Sequence, residues 1–299
     1  VPAIVWVHRD VSLSRASQPL SGMFNARSDH DERLVAALLP DDTASLSDIQ
    51  PGLVICDARP KINAITNKGK GGGTETMAGY SGCRLEHLGI DNIHVVREAL
   101  VNFRAAVLDE CSKSVHSHTK LTPVFSFLGR LVATVLAGGV RVANLLKSNI
   151  SVLVHCSDGW DRTAQLTGLA QLLLDPYYRT LRGFAILVEK EWCHFGHQFA
   201  RRSGTGANRG HHQDSQRSPV FMQWVDCVFQ LCCQHPTRFE FNERLLEALA
   251  VHVYSGRFGT FLFDNERLRL ANNVPTTTPS LWTAVFAHVE AYTNPLYEP

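Results

Sequence analysis

The most constraining feature of this chain is the segment 151–165, S-V-L-V-H-C-S-D-G-W-D-R-T-A-Q. Residues 152–155 have the composition of a buried strand, and from Thr163 an apolar stretch at helical spacing continues to residue 174. Between them lie Cys156, a loop holding Gly159, and Arg162. Strand, loop and helix in that order gather backbone N–H groups at a helix N-terminus, where the peptide dipoles favour an anion. Arg162 adds a planar fork of donors suited to two phosphate oxygens. The same field stabilises a thiolate at Cys156. A thiolate beneath a bound phosphate can attack phosphorus in line and form a phosphocysteine, which water then hydrolyses. Gly159 permits the turn that aims amides inward, and Thr163 can donate to the sulfur. This chemistry calls for no metal and no other cofactor.

Spacing alone does not single out this cysteine. Cys232 and Arg238 repeat the interval in C-C-Q-H-P-T-R, but after helical sequence, with Pro236 and without glycine. A cysteine in that setting reads as a small core hydrophobe. The carboxylates Asp158 and Asp161 repel a phosphate. Asp161 falls where a helix N-cap belongs, and it also suits a general acid that protonates the leaving alkoxide. Asp158 is the second candidate for that acid, or an acceptor for substrate hydroxyls. Trp160 either supports the loop or shapes the pocket mouth.

Short β-branched runs at 3–7, 53–56, 93–96 and 152–155 predict strands. Helical spacing covers 97–108, 123–146, 163–174, 180–199, 219–232 and 242–254. Alternation of this kind argues for an α/β fold, a central sheet flanked by helices, in one domain. Composition excludes collagen, disorder and coiled coil, with 44% hydrophobic and 19% charged residues. A net charge of +1 argues against nucleic-acid binding through bulk charge, so an anionic partner needs a local basic patch. The eight cysteines include no C-x-x-C pair and fit a reducing, cytoplasmic compartment. The longest uncharged apolar stretch, 131–140, falls short of the ~20 residues a bilayer needs, and no signal peptide is visible at the N-terminus.

Three further features have plainer readings. Arg201, Arg202, Arg209 and Arg217, with His211 and His212 and only Asp214 opposing, form either a solvated face or an anionic-headgroup patch. The run Gly71–Gly73 matches no nucleotide motif and reads as a flexible loop carrying Lys68 and Lys70. His194 and His197, three apart on an expected helix, lack a third metal ligand nearby and read as packing residues.

Residues 156–165, C-S-D-G-W-D-R-T-A-Q, resemble the signature of the myotubularin phosphatases. Other stretches extend the resemblance in the same order along the chain. They include S-Q-P-L-S-G-M (17–23), I-C-D-A-R-P (55–60), N-A-I-T-N-K-G-K-G-G-G (63–73) and D-N-I-H-V-V-R-E (91–98). V-E-K-E-W (188–192), F-G-H-Q-F (195–199), R-S-P-V-F (217–221) and R-F-G-T-F-L-F (257–263) follow.

The resemblance implies a cysteine-dependent, tyrosine-phosphatase-like α/β fold. It also implies a phosphoinositide 3-phosphatase acting on phosphatidylinositol 3-phosphate and phosphatidylinositol 3,5-bisphosphate. By position, Cys156 corresponds to the nucleophile, Arg162 to the phosphate-binding arginine and Asp161 to the proposed general acid. Ser157, Asp158, Gly159 and Trp160 complete the substrate loop, while Asn67, Asn92 and Ile93 correspond to pocket residues. Arg202 corresponds to one of two basic residues that reach the inositol phosphates. Gln198 stands where some members carry the other, which weakens the expected hold on a 5-phosphate. The family's N-terminal lipid-binding domain and C-terminal coiled coil are not visible, so residues 1–299 are expected to form the phosphatase domain alone. Peripheral contact with endosomal or other phosphoinositide-bearing membranes, and homo- or hetero-oligomers of the full-length proteins, are implied as well. Two alternatives are weaker. A protein tyrosine or dual-specificity phosphatase usually carries its acid on a Trp-Pro-Asp loop, absent here, and an adaptor that only binds lipid has no need of the intact Cys156, Asp161 and Arg162.

Overall fold

A computed structural model of the chain describes residues 2–40, 51–112, 121–206 and 215–299. The chain divides into two compact units, Val1–Ile90 with Leu136–Asp175, and Asp91–Val135 with Pro176–Pro299. The strands are β1 (Ala3–His8), β2 (Val11–Ala16), β3 (Leu53–Asp57), β4 (Cys83–His87) and β5 (Ser151–His155). The main helices are α1 (Asp29–Ala36), α2 (Lys61–Lys68), α3 (Ile93–Ser112), α4 (Leu121–Lys147), α5 (Arg162–Leu174), α6 (Leu181–Val188), α7 (Phe199–Ser203), α8 (Val220–Gln234) and α9 (Glu243–Ser255).

All five strands lie in the first unit and form one sheet, ordered β1-β2-β5-β3-β4. Only β1 runs antiparallel to its neighbour; the other pairs are parallel. β3 and β5 are buried at every position, which is why both read as unbroken apolar runs rather than alternating ones. Leu53, Ile55 and Leu153 pack with Val35 of α1 and with Tyr80 on one face. Their neighbours Val54, Cys56, Val152 and Val154 are equally buried, so the opposite face is covered too. The register sets Asp57 opposite His155, at the carboxyl ends of the two central strands. That end of an open parallel sheet is where ligand crevices form.

β5 leads through the cysteine loop into α5, which is buried from Arg162 to Leu172. Two of its buried polar side chains bond back along the helix, with Thr167 Oγ1 donating to Thr163 O at 3.0 Å and Gln171 Nε2 to Thr167 O at 3.0 Å. The C-terminal part of α4 packs directly on α5. A Cβ at Gly138 would lie 2.7 Å from Leu166 Cδ2, and one at Gly139 2.7 Å from Leu169 Cβ. By length and composition Thr122–Lys147 could cross a membrane, although its longest uncharged run is short; this close packing makes its C-terminal part a core helix.

The second unit is helical and centred on aromatic rings. Phe184 of α6 stacks on Trp224 of α8 at 5.7 Å, and Trp192 meets Phe221 edge-on at 4.9 Å. Two expectations are corrected in this unit. Residues 93–96 are the first turn of α3, not a strand, because Asn92 Oδ1 accepts from the amides of His94 (2.9 Å) and Val95 (3.3 Å) and caps the helix. Residues 180–199 are not one helix either. α6 widens into a π-turn, Glu189–His194, and the chain then reverses through Gly196 at φ +76°. His194 and His197 therefore do not share a helix face. His197 is buried, its ring edge-on to Trp192 (4.8 Å) and Phe199 (4.7 Å), as the packing reading holds.

Candidate active site

Cys156 follows the last residue of β5 and is buried. Gly159 N–H donates to its sulfur at 3.3 Å. Gly159 lies at φ +87°, and a Cβ there would come within 2.7 Å of Ala16 O. Glycine is needed both for the turn and for the close passage of β2. The end of β2 also grips the loop, since Arg15 Nη2 donates to Gly159 O at 2.5 Å.

Arg162, at the start of α5, sends Nη1 to Ile90 O at 3.2 Å and Nη2 to Ser157 Oγ at 3.4 Å. Asn67, near the end of α2, donates to the same hydroxyl at 3.1 Å. Ser157 O in turn accepts from Gln18 N–H at 3.1 Å. Burial pushes the Cys156 thiol up and the Asp161 carboxylate adds to this. The Arg162 charge, the Thr163 hydroxyl and the Gly159 amide outweigh both, so the pKa falls below the ordinary thiol value. Thr163 Oγ1 is buried without a partner at full hydrogen-bond geometry, so the Gly159 amide is the better-formed of the two contacts to sulfur. The second C-x5-R match behaves oppositely. Cys232 lies within α8, and burial, with the neighbouring Cys233, pushes its thiol to about 12.

Asp161 occupies the N-cap position of α5, but its side chain makes no capping bond. The N-cap reading thus holds for the backbone alone, with Asp161 O accepting from Gln165 N–H at 3.2 Å. The carboxylate is buried. Asp158 is exposed, and Ser157, Gly159 and Trp160 are half-buried.

Behind the loop lies a charge network that motif reading did not assemble. His155 Nε2 is 3.1 Å from Glu75 Oε2, and its Nδ1 is 3.1 Å from Cys156 O. Burial opposes a charged imidazole, but Glu75 and then Asp57 outweigh it and raise the His155 pKa to about 9. Arg59, fully buried, holds Asp57 with Nε (2.8 Å) and Nη2 (2.7 Å) and donates to Gly73 O at 2.6 Å and to Gln18 Oε1. Gly73 N–H donates to the same Gln18 oxygen at 3.2 Å. The glycine run is therefore pinned rather than flexible: Cβ atoms at Gly72 and Gly73 would lie 2.6 Å from the Gln18 amide and 2.0 Å from Ser21 Oγ. Gln18 and Arg59 fall in the stretches 17–23 and 55–60 and Glu75 in none of those quoted, but only proximity in the fold joins the three at this site.

The remaining predicted site residues belong to the second unit. Asn92 caps α3, and Ile93 begins it. Arg202 in α7 is buried and donates to Gln216 O at 3.0 Å. Arg201 is opposed by Asp264, whose Oδ1 accepts from its amide at 3.0 Å and whose Oδ2 lies 3.6 Å from its Nε. Asp214 is therefore not the sole acid near these arginines. Arg209, His211, His212 and Asp214 lie outside the described residues. Among the described residues, no group of three or more His, Cys, Asp or Glu is placed to hold a metal ion.

A family profile described as the myotubularin-like phosphatase domain matches residues 1–270. The chain belongs to the myotubularin-like phosphatase family. It is similar to the phosphatidylinositol-3,5-bisphosphate 3-phosphatase MTMR2 of Bos taurus, at 44% identity over 99% of this chain and 45% of the relative. It is similar to myotubularin of Xenopus laevis, at 44% identity over 99% of this chain and 48% of the relative. Rattus norvegicus myotubularin is 42% identical over the same shares. The chain thus spans about half the length of the curated relatives it matches.

Proposed function

We propose that this chain is the catalytic part of a phosphoinositide 3-phosphatase with a tyrosine-phosphatase-like fold, acting on phosphatidylinositol 3-phosphate and the 3,5-bisphosphate. The observation that carries this is a buried Cys156 with a depressed pKa, held by Gly159 N–H and beside Arg162 at the start of α5. Family membership and the activity in the name of the MTMR2 relatives supply the substrate class.

In this reading the Cys156 thiolate attacks phosphorus, forming an S–P bond as the ester P–O bond breaks. Asp161 gives its proton to the departing inositol oxygen. Arg162 and the loop amides, with Ser157, Gly159 and their neighbours, hold the equatorial phosphate oxygens. Asp161, now a carboxylate, takes a proton from water as it attacks phosphorus. The P–S bond then breaks, releasing phosphate and restoring the thiolate. Asp158, Trp160, Asn67, Asn92, Ile93 and Arg202 are assigned to substrate by resemblance. The enzyme acts in the cytoplasm, peripherally on phosphoinositide-bearing membranes, endosomal ones among them, and the full-length protein oligomerises with itself or related members.

A panel of phosphoinositides and phosphotyrosine peptides tests this reading. Phosphate is expected only from 3-phosphorylated lipids, and Cys156→Ser abolishes its release. Equal release from the peptides would make the chain a protein phosphatase, and lipid binding without any turnover would make it an adaptor.

A further inference from the structure

Large apolar side chains in water are ordinarily scattered over a protein surface. Among the described residues the three most exposed of them lie together in one turn, and two more lie on a segment tied, like that turn, to one residue of the phosphate loop. In the turn after β2, Leu20 is 81% exposed, Met23 73% and Phe24 97%. Ile62 and Ile65 are exposed on α2. The two segments are stitched together: Gly22 N–H donates to Gly72 O at 2.9 Å, and Lys68 Nζ to Asn25 Oδ1 at 2.6 Å. Each also attaches to Ser157, the first through Gln18 N–H to its carbonyl and the second through Asn67 to its hydroxyl.

Charge follows the same segments. Residues 17–28 and 58–74 contain no Asp or Glu. They carry Lys61, Lys68 and Lys70, of which Lys61 and Lys70 are exposed. The two arginines are already matched, Arg27 by Glu32 at 2.7 and 2.6 Å and the buried Arg59 by Asp57 at 2.8 and 2.7 Å. Exposed Leu, Met and Phe beside unopposed lysines are the pattern of a surface that dips into the headgroup region of an anionic bilayer.

We propose that Leu20, Met23 and Phe24, with Ile62 and Ile65 and the lysines 61, 68 and 70, form a membrane-docking rim that seats the Cys156 loop against an anionic lipid surface. This rests on the lipid-phosphatase reading for its purpose, but not for its test. The apolar side chains enter the interface and displace water, while the ammonium groups remain at headgroup level. Because both segments are tied to Ser157, docking delivers the phosphate loop to the depth of a lipid headgroup.

The test uses the full chain, the triple variant Leu20→Ser, Met23→Ser, Phe24→Ser, and the double variant Lys61→Glu, Lys70→Glu. Sedimentation with phosphatidylcholine–phosphatidylserine vesicles, free of inositol lipid, reads docking alone. Hydrolysis of a water-soluble short-chain 3-phosphoinositide reads chemistry alone. Loss of three apolar side chains from the bilayer interface is expected to weaken vesicle binding at least about tenfold, and charge reversal to remove its dependence on phosphatidylserine. Both variants should turn over the soluble substrate at the wild-type rate and lose the vesicle-borne one. Unchanged sedimentation of both variants, a wild type that binds no vesicle, or parallel loss of soluble turnover overturns the proposal. The first two results would leave the patch to a protein partner. If the wild type hydrolyses neither substrate while the variants still lose vesicle binding, the docking rim stands and the phosphatase reading falls.

Discussion

Glu75 Oε2 sits 3.1 Å from His155 Nε2 although the residues are 80 positions apart, and both are buried. The pair lies directly behind Cys156, because His155 Nδ1 meets Cys156 O. The folded His155 pKa, about 9, exceeds its unfolded value of about 6.5. Its contribution to stability is therefore fully present below about pH 6.5 and is lost as pH rises through about 9. Burial pushes Glu75 up, but His155 brings it below the usual carboxylate value; for Asp57 the Arg59 hydrogen bonds and His155 do the same. Their contributions are present above about pH 4.5 and vanish as pH falls through the folded values. Urea midpoints across pH should show both limbs. Glu75→Gln should cost about 3–5 kcal/mol and flatten the alkaline limb; an alkaline limb unchanged by the substitution contradicts the pairing.

The Cys156 thiolate is held largely by Arg162. The pH profile of Cys156 alkylation by iodoacetamide should have its midpoint below that of an ordinary thiol. In Arg162→Ala the midpoint should move up. If the two profiles coincide, the guanidinium is not what ionises the sulfur.

Asp161 is buried at the N-cap and makes no capping bond, so its removal should spare the helix. Asp161→Asn is expected to slow the inositol lipid by about 10²–10⁴-fold and to slow an aryl phosphate, whose leaving group needs no proton, far less. Equal losses on both substrates, or a collapse of the melting temperature, would give the residue a structural role instead.

Gly159→Ala meets two obstacles at once, φ +87° and a carbonyl 2.7 Å from the new methyl. Relief requires the loop to move, at about 1–3 kcal/mol, and the amide to leave the sulfur. Thermal melting and kcat should both fall, and the alkylation midpoint should rise.

Gln198 lies next to α7, its Oε1 accepting from Arg201 Nη1 at 3.2 Å. Gln198→Arg adds a cation where some family members carry one. Turnover of the 3,5-bisphosphate should rise relative to the monophosphate, and an unchanged ratio removes Gln198 from the specificity argument.

The central strands and the cysteine loop were legible in sequence because burial on both faces leaves β3 and β5 as continuous apolar runs. β2 and β4 were not. V-S-L-S-R-A and C-R-L-E-H carry Ser, Arg and Glu whose burial depends on distant partners, such as Gly159 O for Arg15 and Arg141 for Glu86. The run 93–96 has strand composition, and the Asn92 cap decides against it. Cys156 and Arg162 are six residues apart and carry a local pattern. Arg59, Glu75 and Gln18 reach the site only through the register of the sheet and the path of the glycine run, which no local pattern encodes. The same run reads as slack in sequence because glycine is permissive, whereas here it makes room for Gln18 and Ser21.

Gly138 and Gly139 do more than fill space beside Leu166 and Leu169. They fix how closely one rod lies on another, and the second rod is the one whose tip faces the Cys156 sulfur. Two absent methyl groups, a full turn and more from the chemistry, thus set the aim of the site. A side chain introduced at Gly139 would meet Leu169 Cβ, which cannot rotate aside, and would act as a wedge that swings the tip, whereas one at Gly138 meets the flexible end of Leu166 and is more easily absorbed.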